Sequence, residues 1–339
     1  MLAAFATSVE ISTMLRTLLG GLAATLIVLS PAAHAGAPQL KTQAPGYHRM
    51  LLGDFEITAL SDGTVKLPMD KLLQAHPGEA LRRFERARLD VPVETSVNGY
   101  LINTGSKLVL IDTGAAGNFG PTLGKLLTNL RAAGYQPEQV DEVYITHLHA
   151  DHVSGLVLDG QRTFPNAVVR ADKADAEYWL STANMEKAPQ ETKGFFQAAM
   201  AALKPYVDAG KFQPFQGPTE LVPGIQALPL HGHTPGHSGF LVRSQGQQLL
   251  VWGDVMHAAA VQMPDPGVTI QFDSDPKAAA PQRRKVMAEA AREGIWIAGA
   301  HLSFPGLGRL RTAGKGYEWQ PLNYSSLPAT PPAAASAAK

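Results

Sequence analysis

Four side chains able to hold a metal ion fall within six residues of this chain, in His147-Leu148-His149-Ala150-Asp151-His152. Imidazoles and a carboxylate at this density point to a bound cation. The apolar run Val143-Tyr144-Ile145-Thr146 precedes them and reads as a buried strand. The hexapeptide then sits on the loop at the strand's C-terminal end, where ligand sites of layered α/β folds gather. In an extended loop, residues two apart share a side. His147 and His149 therefore grip one ion, while Asp151 and His152, entering a helix near Gly155, face a second.

A site for two ions needs more donors, and they follow downstream. His233 lies in the turn Gly232-His233-Thr234-Pro235-Gly236-His237, between the apolar runs Ile225–Leu230 and Phe240–Val242. Asp254 follows the strand Leu249–Val251, and His301 follows Ile295–Ala298. Each is a polar residue at the end of an apolar strand. Together they make five histidines and two aspartates, enough for two ions bridged by one carboxylate with positions left for water.

The HxHxDH motif, the His-Thr-Pro-Gly-His turn, the Gly-Asp pair and the late histidine resemble, in that order, the signature of metallo-β-lactamase-superfamily hydrolases. The likeness runs from about residue 45 to residue 325. The stretches Met50–Gly63, Ile111–Gly117 and Ala300–Gly306 are similar to the methyl parathion hydrolase family and its dihydrocoumarin-type lactonase relatives. The resemblance implies a four-layer αββα sandwich of two mixed sheets with outer helices. It implies one ion on His147, His149 and His233, a second on Asp151, His152 and His301, and Asp254 bridging them. Asp151 and Asp254 then take part in catalysis as well. His237 either supports this site or adds a ligand. Zinc is the expected ion, although such donors also accept manganese, iron and cobalt. A homodimer is a further expectation from the resemblance.

The residues between the first cluster and His233 are candidates for the substrate pocket. Asp172–Leu180 and Gly194–Leu203 read as helices joined by a polar segment, and they present Tyr178, Trp179, Phe195 and Phe196. Spacing alone leaves these aromatics open between core and pocket. The resemblance places Phe119, Trp179 and one of Phe195 or Phe196 around the leaving group, with Leu67 and Leu72 also in the wall. This chain departs from the organophosphate enzymes at His257 and Phe272, where they carry leucine, and at Leu72, where they carry arginine. The loop before Gly194 is also one residue shorter. A bulkier, more polar cavity suits a planar ester better than a tetrahedral phosphotriester. The expected activity is hydrolysis of aryl esters or aromatic lactones of the dihydrocoumarin type, with weak phosphotriesterase activity. The alternatives are an organophosphate triesterase and, less favoured, an N-acyl homoserine lactonase. His257 is either a wall residue or a proton donor to the departing phenolate, so it counts as both a catalytic and a pocket candidate. The nucleophile expected is water activated by the two ions, since coordination brings its pKa to about 7.

The elements that must position these groups are legible as well. Phe55–Leu60 and Val97–Ile102 read as strands, with Thr104-Gly105-Ser106 turning into Lys107–Ile111. Asp112-Thr113-Gly114 follows beside the expected metal face, with Asp112 a supporting carboxylate rather than a ligand. Leu123, Leu126, Leu127 and Leu130 follow helical spacing, and Gly134 suits the end of that helix. Strands alternating with helices give two packed sheets with helices outside.

Composition fits an enzyme of small molecules. Lys plus Arg equals Asp plus Glu at 29 each, so no basic field attracts nucleic acid. Arg16, the apolar stretch Leu18–Leu29 and Ala33-His34-Ala35 resemble a secretory leader, 1–35, cut near Ala35, with Met14 a possible true start. The mature chain is then periplasmic or secreted and does not span a membrane. The hydrolase domain is expected over 36–325, followed by a disordered Ala/Pro-rich tail over 326–339. The sequence has no cysteine, so an exported chain must rely on its core and its metals rather than disulfides. A di-iron redox protein would replace one histidine of the first motif with an acid, and a dead binding module would have lost ligands. Neither pattern is present.

Overall fold

The computed structural model describes residues 37–327. The expected leader, and the expected tail beyond Leu327, lie outside these residues. One unit ends at Gln43, and its described residues are exposed and without regular secondary structure. The unit from Ala44 onward holds every element below.

Apolar strands build this unit around two large sheets, with two small two-stranded ones beside them. The first runs in the order β1 (Tyr47–Leu52), β2 (Phe55–Leu67), β3 (Val93–Asn103), β4 (Leu108–Ile111), β5 (Glu142–Tyr144) and β6 (Val168–Arg170). It is antiparallel as far as β4 and parallel from β4 to β6. The second runs β7 (Thr219–Val222), β8 (Ile225–Pro229), β9 (Ser238–Ser244), β10 (Gln247–Val251), β11 (Trp296–Ala298), β12 (Leu307–Ala313) and β13 (Gly316–Pro321). Its only parallel pair is β10 with β11. The helices that bear on the site are α1 (Leu126–Ala132), α2 (Ala150–Val153), α3 (Lys173–Trp179), α4 (Lys193–Asp208) and α5 (Pro276–Glu293).

Successive residues of a strand face opposite sides of its sheet, and here both sides are apolar. In β4, Val109 and Ile111 enter the core between the sheets, while Leu108 and Leu110 enter a core under the helices. In β9, Phe240 and Val242 face inward and Leu241 faces outward. Leu130 of α1 and Phe196, Ala199 and Leu203 of α4 cover the outer face of the first sheet. Val286, Met287 and Ala290 of α5 cover that of the second. The layers are therefore helix, sheet, sheet, helix, the αββα sandwich expected from the sequence. No helix of the described residues is long and apolar enough to cross a membrane.

Local details differ from the sequence reading. β2 continues past Leu60 to Leu67, because a register shift between Ser61 and Gly63 lets the strand go on with Asp62 buried in the shift. Leu123 precedes α1 instead of belonging to it. Gly124 has φ +79° and packs so closely on the Ala116 carbonyl that a Cβ there would stand 2.4 Å from it, which stops the helix extending backward. α4 runs from Lys193 to Asp208, beyond the expected Gly194–Leu203, and the polar segment before it contains a helical turn, Thr182–Lys187, capped by the Ser181 hydroxyl. α3 matches its expectation, with Asp172 as its N-cap.

Candidate metal centre

All of the candidate ligands sit just beyond the C-terminal ends of strands. His147 and His149 follow β5, and α2 then carries Asp151 and His152. His233 follows β8, Asp254 follows β10 and His301 follows β11. The parallel pairs β4–β5 and β10–β11 thus aim their loops at one place.

The side chains fall into two donor groups. His147, His149, His233 and Asp254 offer atoms within 4.8 Å of one another, and Asp151, His152 and His301 do the same. His233 Nε2 lies 3.2 Å from His149 Nδ1 and 3.3 Å from Asp254 Oδ2. His301 Nε2 lies 3.4 Å from Asp151 Oδ2 and 3.2 Å from Asp254 Oδ2, and His152 Nε2 lies 3.3 Å from Asp254 Oδ1. Donors around a tetrahedral ion bonded at 2.0–2.1 Å stand about 3.3 Å apart. Asp254 reaches both groups, with Oδ1 toward His152 and Oδ2 between His233 and His301. Buried and without a hydrogen-bond partner are His147 Nε2, His152 Nε2 and Asp254 Oδ1, an arrangement that a folded chain avoids unless something meets those atoms. The residues fit two divalent ions with Asp254 between them.

The opposite ring nitrogens are held by the chain. His152 Nδ1 donates to Asp112 Oδ2 at 2.8 Å, His233 Nδ1 to Asp273 Oδ1 at 2.9 Å, and His301 Nδ1 to the Ser96 carbonyl at 2.9 Å. Such bonds fix the tautomer and turn Nε2 toward the metal. Asp112 adopts φ +59°, a strained conformation for a residue other than glycine. Its carboxylate also accepts from the Thr146 amide and hydroxyl, each at 2.8 Å, and these bonds hold the strained backbone in place. His237 is not a ligand. Its Nδ1 donates to the Leu230 carbonyl at 3.0 Å and its Nε2 accepts the Asp254 amide at 2.9 Å, so both nitrogens are taken. Burial, reinforced by His233, takes His237 down to about 3 and keeps it neutral.

Without metal the cluster sorts its protons unevenly. Burial, together with neighbouring imidazoles, holds His147 and His149 well below the usual histidine range. Burial also opposes charge on His233, but Asp254 and Asp273 outweigh it and raise the ring to about 9. Asp254, resisted by its own burial, is held well below the carboxylate range by His301, His152, His257 and His147. Protons thus occupy part of the space that the donor geometry reserves for cations.

A small cavity of about 140 Å³ opens in front of this cluster. Phe119, Phe195, Phe272 and Leu67 line it, as do His257, Asp151 and Asp254, all expected there. Val65, Val97 and Leu123 line it too, and the sequence reading had missed them. The extended second half of β2 delivers Val65 and Leu67. Three expected pocket residues are elsewhere. Trp179, 4% exposed, is in the core under α4, with its ring edge-on to His149 at 5.2 Å. Phe196 is in the same core. Leu72 packs with Met69 and Phe84 in a separate cluster. Helical spacing had made Phe195 and Phe196 equivalent, but on α4 only Phe195 turns to the cavity.

Residues 92–293 match the sequence model of the metallo-β-lactamase superfamily, which is more than half of the chain. The chain belongs to the metallo-β-lactamase superfamily. Among solved structures, a hydrolase of the beta-lactamase superfamily, AbOPH, is 37% identical with a TM-score of 0.80, and the match covers 84% of this chain and 100% of that one. The dizinc quorum-quenching lactonase AidC, solved with an N-hexanoyl homoserine product, has a TM-score of 0.76 at 23% identity, covering 83% and 99%; at that identity the likeness shows the fold alone. An N-acyl homoserine lactonase from a Bacillus species is 27% identical over 176 residues, which is 46% of this chain and 60% of the lactonase. The match thus spans somewhat less than two thirds of that relative. None of these matches singles out the methyl parathion hydrolase branch.

The superfamily motifs explain the ligands, and other buried groups hold those motifs in place. Asp175, on α3, accepts the Leu148 amide at 2.9 Å and the Gly236 amide at 2.6 Å, tying the first ligand loop to the His233 turn. Asp62 accepts the amides of Ala115, Gly124 and Leu126, each at 3.0 Å, and so closes the loop that carries Phe119. Arg283, from α5, donates to the carbonyls of Val255, Pro266 and Val268 and faces Asp273 at 3.7 Å. Asp62 lies in the stretch Met50–Gly63, Asp175 and Arg283 stand in no motif, and each reaches partners far away in sequence.

Proposed function

We propose that the protein is a binuclear metal-dependent hydrolase that opens lactones and aryl esters. The observation that carries this reading is the placement of two donor groups, joined through Asp254, at the floor of a cavity walled by Phe119, Phe195 and Phe272. A bound pair of divalent ions supplies an activated water and a Lewis acid for the carbonyl. The chain supplies the rest. Phe119, Phe195 and Phe272 offer ring faces to a flat apolar group and exclude water around it. No lysine or arginine lines the cavity among the described residues, which favours a neutral substrate over one with a carboxylate, such as a β-lactam. Asp151 lines the cavity with its side chain 22% exposed, which places this donor beside the reacting carbonyl. A departing phenolate has a pKa of about 10, so its expulsion needs no strong acid from the chain. Curated relatives named as N-acyl homoserine lactonases support ring opening of a lactone, and the aromatic wall supports an aryl one of the dihydrocoumarin type.

The test is kcat/KM of metal-reconstituted protein on matched panels of aryl lactones, N-acyl homoserine lactones, β-lactams and phosphotriesters. Aryl lactones should lead and phosphotriesters should trail. A lead for acyl homoserine lactones would keep the lactonase reading but remove the aryl preference. A lead for phosphotriesters would replace the reading with that of an organophosphate triesterase.

A further inference from the structure

One imidazole in this cluster belongs to neither expected ligand set. His257 follows Asp254 by three residues, and its Nε2 lies 3.1 Å from Asp254 Oδ2. Its ring stacks on His301, with centroids 5.1 Å apart and planes at 20°, and tilts against His233 at 5.0 Å. The residue is 5% exposed, and both of its ring nitrogens are buried without a hydrogen-bond partner. His237 shows the contrast, since the chain takes up both of its nitrogens. Leaving a buried polar atom unmet is costly, and the chain offers His257 Nε2 nothing but the Asp254 carboxylate, itself shared among several imidazoles.

Its backbone is locked in place. Gln262, fully buried, accepts the amides of His257 and Ala258 at 2.8 and 3.0 Å, and its own amide donates to the Val268 carbonyl at 3.0 Å. The residue is thus held with its ring between His233 of the first group and His301 of the second, stacked on the latter. Asp254, His257 and His301 offer atoms within 4.8 Å of one another. Their two separations from Asp254 Oδ2, 3.1 and 3.2 Å, are the spacing of donors that share an ion.

We propose that His257 is a metal ligand, its Nε2 joining Asp254 and His301 on the ion that Asp151 and His152 also hold. This rests on the two-ion reading above. The ion at the second position then has more protein donors than the ion at the first, which suits a divalent cation that accepts five or six. It also leaves that ion less room for a substrate oxygen, so substrate binding would fall mainly to the first.

Metal-free protein titrated with Co(II), followed by calorimetry and by visible absorption, tests this in wild type, His257→Leu and His257→Gln. Both variants should bind the first ion as wild type does and the second about tenfold or more weakly, in the range seen when groups around a metal are removed. The absorption of the second cobalt should change in both. Unchanged stepwise affinities and an unchanged spectrum in wild type that binds two ions would overturn the ligand assignment alone. Wild type binding one ion or none would overturn the two-ion reading beneath it. Metal-free circular dichroism checks the fold, and His257→Gln, polar and similar in size, carries the test if His257→Leu does not fold.

Discussion

Asp273 Oδ1 lies 2.9 Å from His233 Nδ1, and the carboxylate's other oxygen accepts the Ile270 amide at 3.1 Å and faces Arg283 at 3.7 Å. A buried cation, a carboxylate and a ligand histidine thus stand in line behind the first donor group. Asp273→Ala should therefore weaken the first ion about 10-fold to 100-fold, measured by competition with a chelator. An affinity within twofold of wild type would show that His233 is oriented without Asp273.

Arg283→Met tests the other end of that line. Removing the guanidinium leaves the Asp273 carboxylate without its cation and takes the donor from the Val255 and Pro266 carbonyls, while Val268 keeps Gln262. Breaking a buried pair in this way costs about 3–5 kcal/mol. Denaturant unfolding of the metal-loaded protein should show a loss of this size, and Arg283→Lys a smaller one. A loss under about 1 kcal/mol would place the weight on Gln262 and the backbone instead.

The ligands could be read from the sequence because each lies next to the feature that reveals it. Four are consecutive or nearly so, and Asp254 and His301 follow apolar runs that had to be strands. The groups that hold them were hidden by distance along the chain. Asp175 meets Gly236, Asp62 meets Leu126 and Arg283 meets Val255, and such pairings exist only once the sheets have packed. Aromatic residues failed for another reason. Trp179, Phe195 and Phe196 all suit an amphipathic helix, and which ring meets solvent depends on how α3 and α4 rest on the first sheet. Leu123 matched a helical period that one close backbone approach at Gly124 breaks.

Among the described residues, Asp254 is the one whose carboxylate reaches both donor groups, with Oδ1 toward His152 and Oδ2 toward His233 and His301. Asp254→Ala should lower metal content from two ions per chain toward one or none and abolish activity, and chelation of wild type should do the same reversibly. Elemental analysis decides it. Two tightly held ions in Asp254→Ala would remove the bridge from the site.

Metal uptake should release protons, and the direction follows from His233. Its folded value, about 9, lies above the ordinary 6.5, so in metal-free protein its contribution to stability is complete below pH 6.5 and is lost as pH rises through 9. His147 and His149, held low, act the other way and lose stability as pH falls below 6.5. Metal-free protein should therefore melt lower at pH 9 than at pH 7. In weak buffer near pH 7.5, loading should acidify an indicator dye, with apparent affinity rising with pH until His233 has lost its proton. Uptake without proton release would show that the site is deprotonated before metal arrives.

Phe195 and Trp179 lie on neighbouring helices and should respond differently to truncation. Phe195 lines the cavity, so Phe195→Ala should raise KM for aryl lactones and leave small aliphatic esters nearly unchanged, by about the 0.5–1.5 kcal/mol an aromatic contact contributes. Trp179 is core, packed on Phe196 at 4.6 Å and edge-on to His149. Trp179→Ala should cost about 3–5 kcal/mol of stability and, where the protein still folds, reduce activity on both substrate types alike through the loosened His149. Steady-state kinetics on one aryl and one aliphatic substrate, beside unfolding curves, separates the two. An aryl-selective loss in Trp179→Ala at unchanged stability would return that ring to the pocket and show that the cavity rearranges around its substrate.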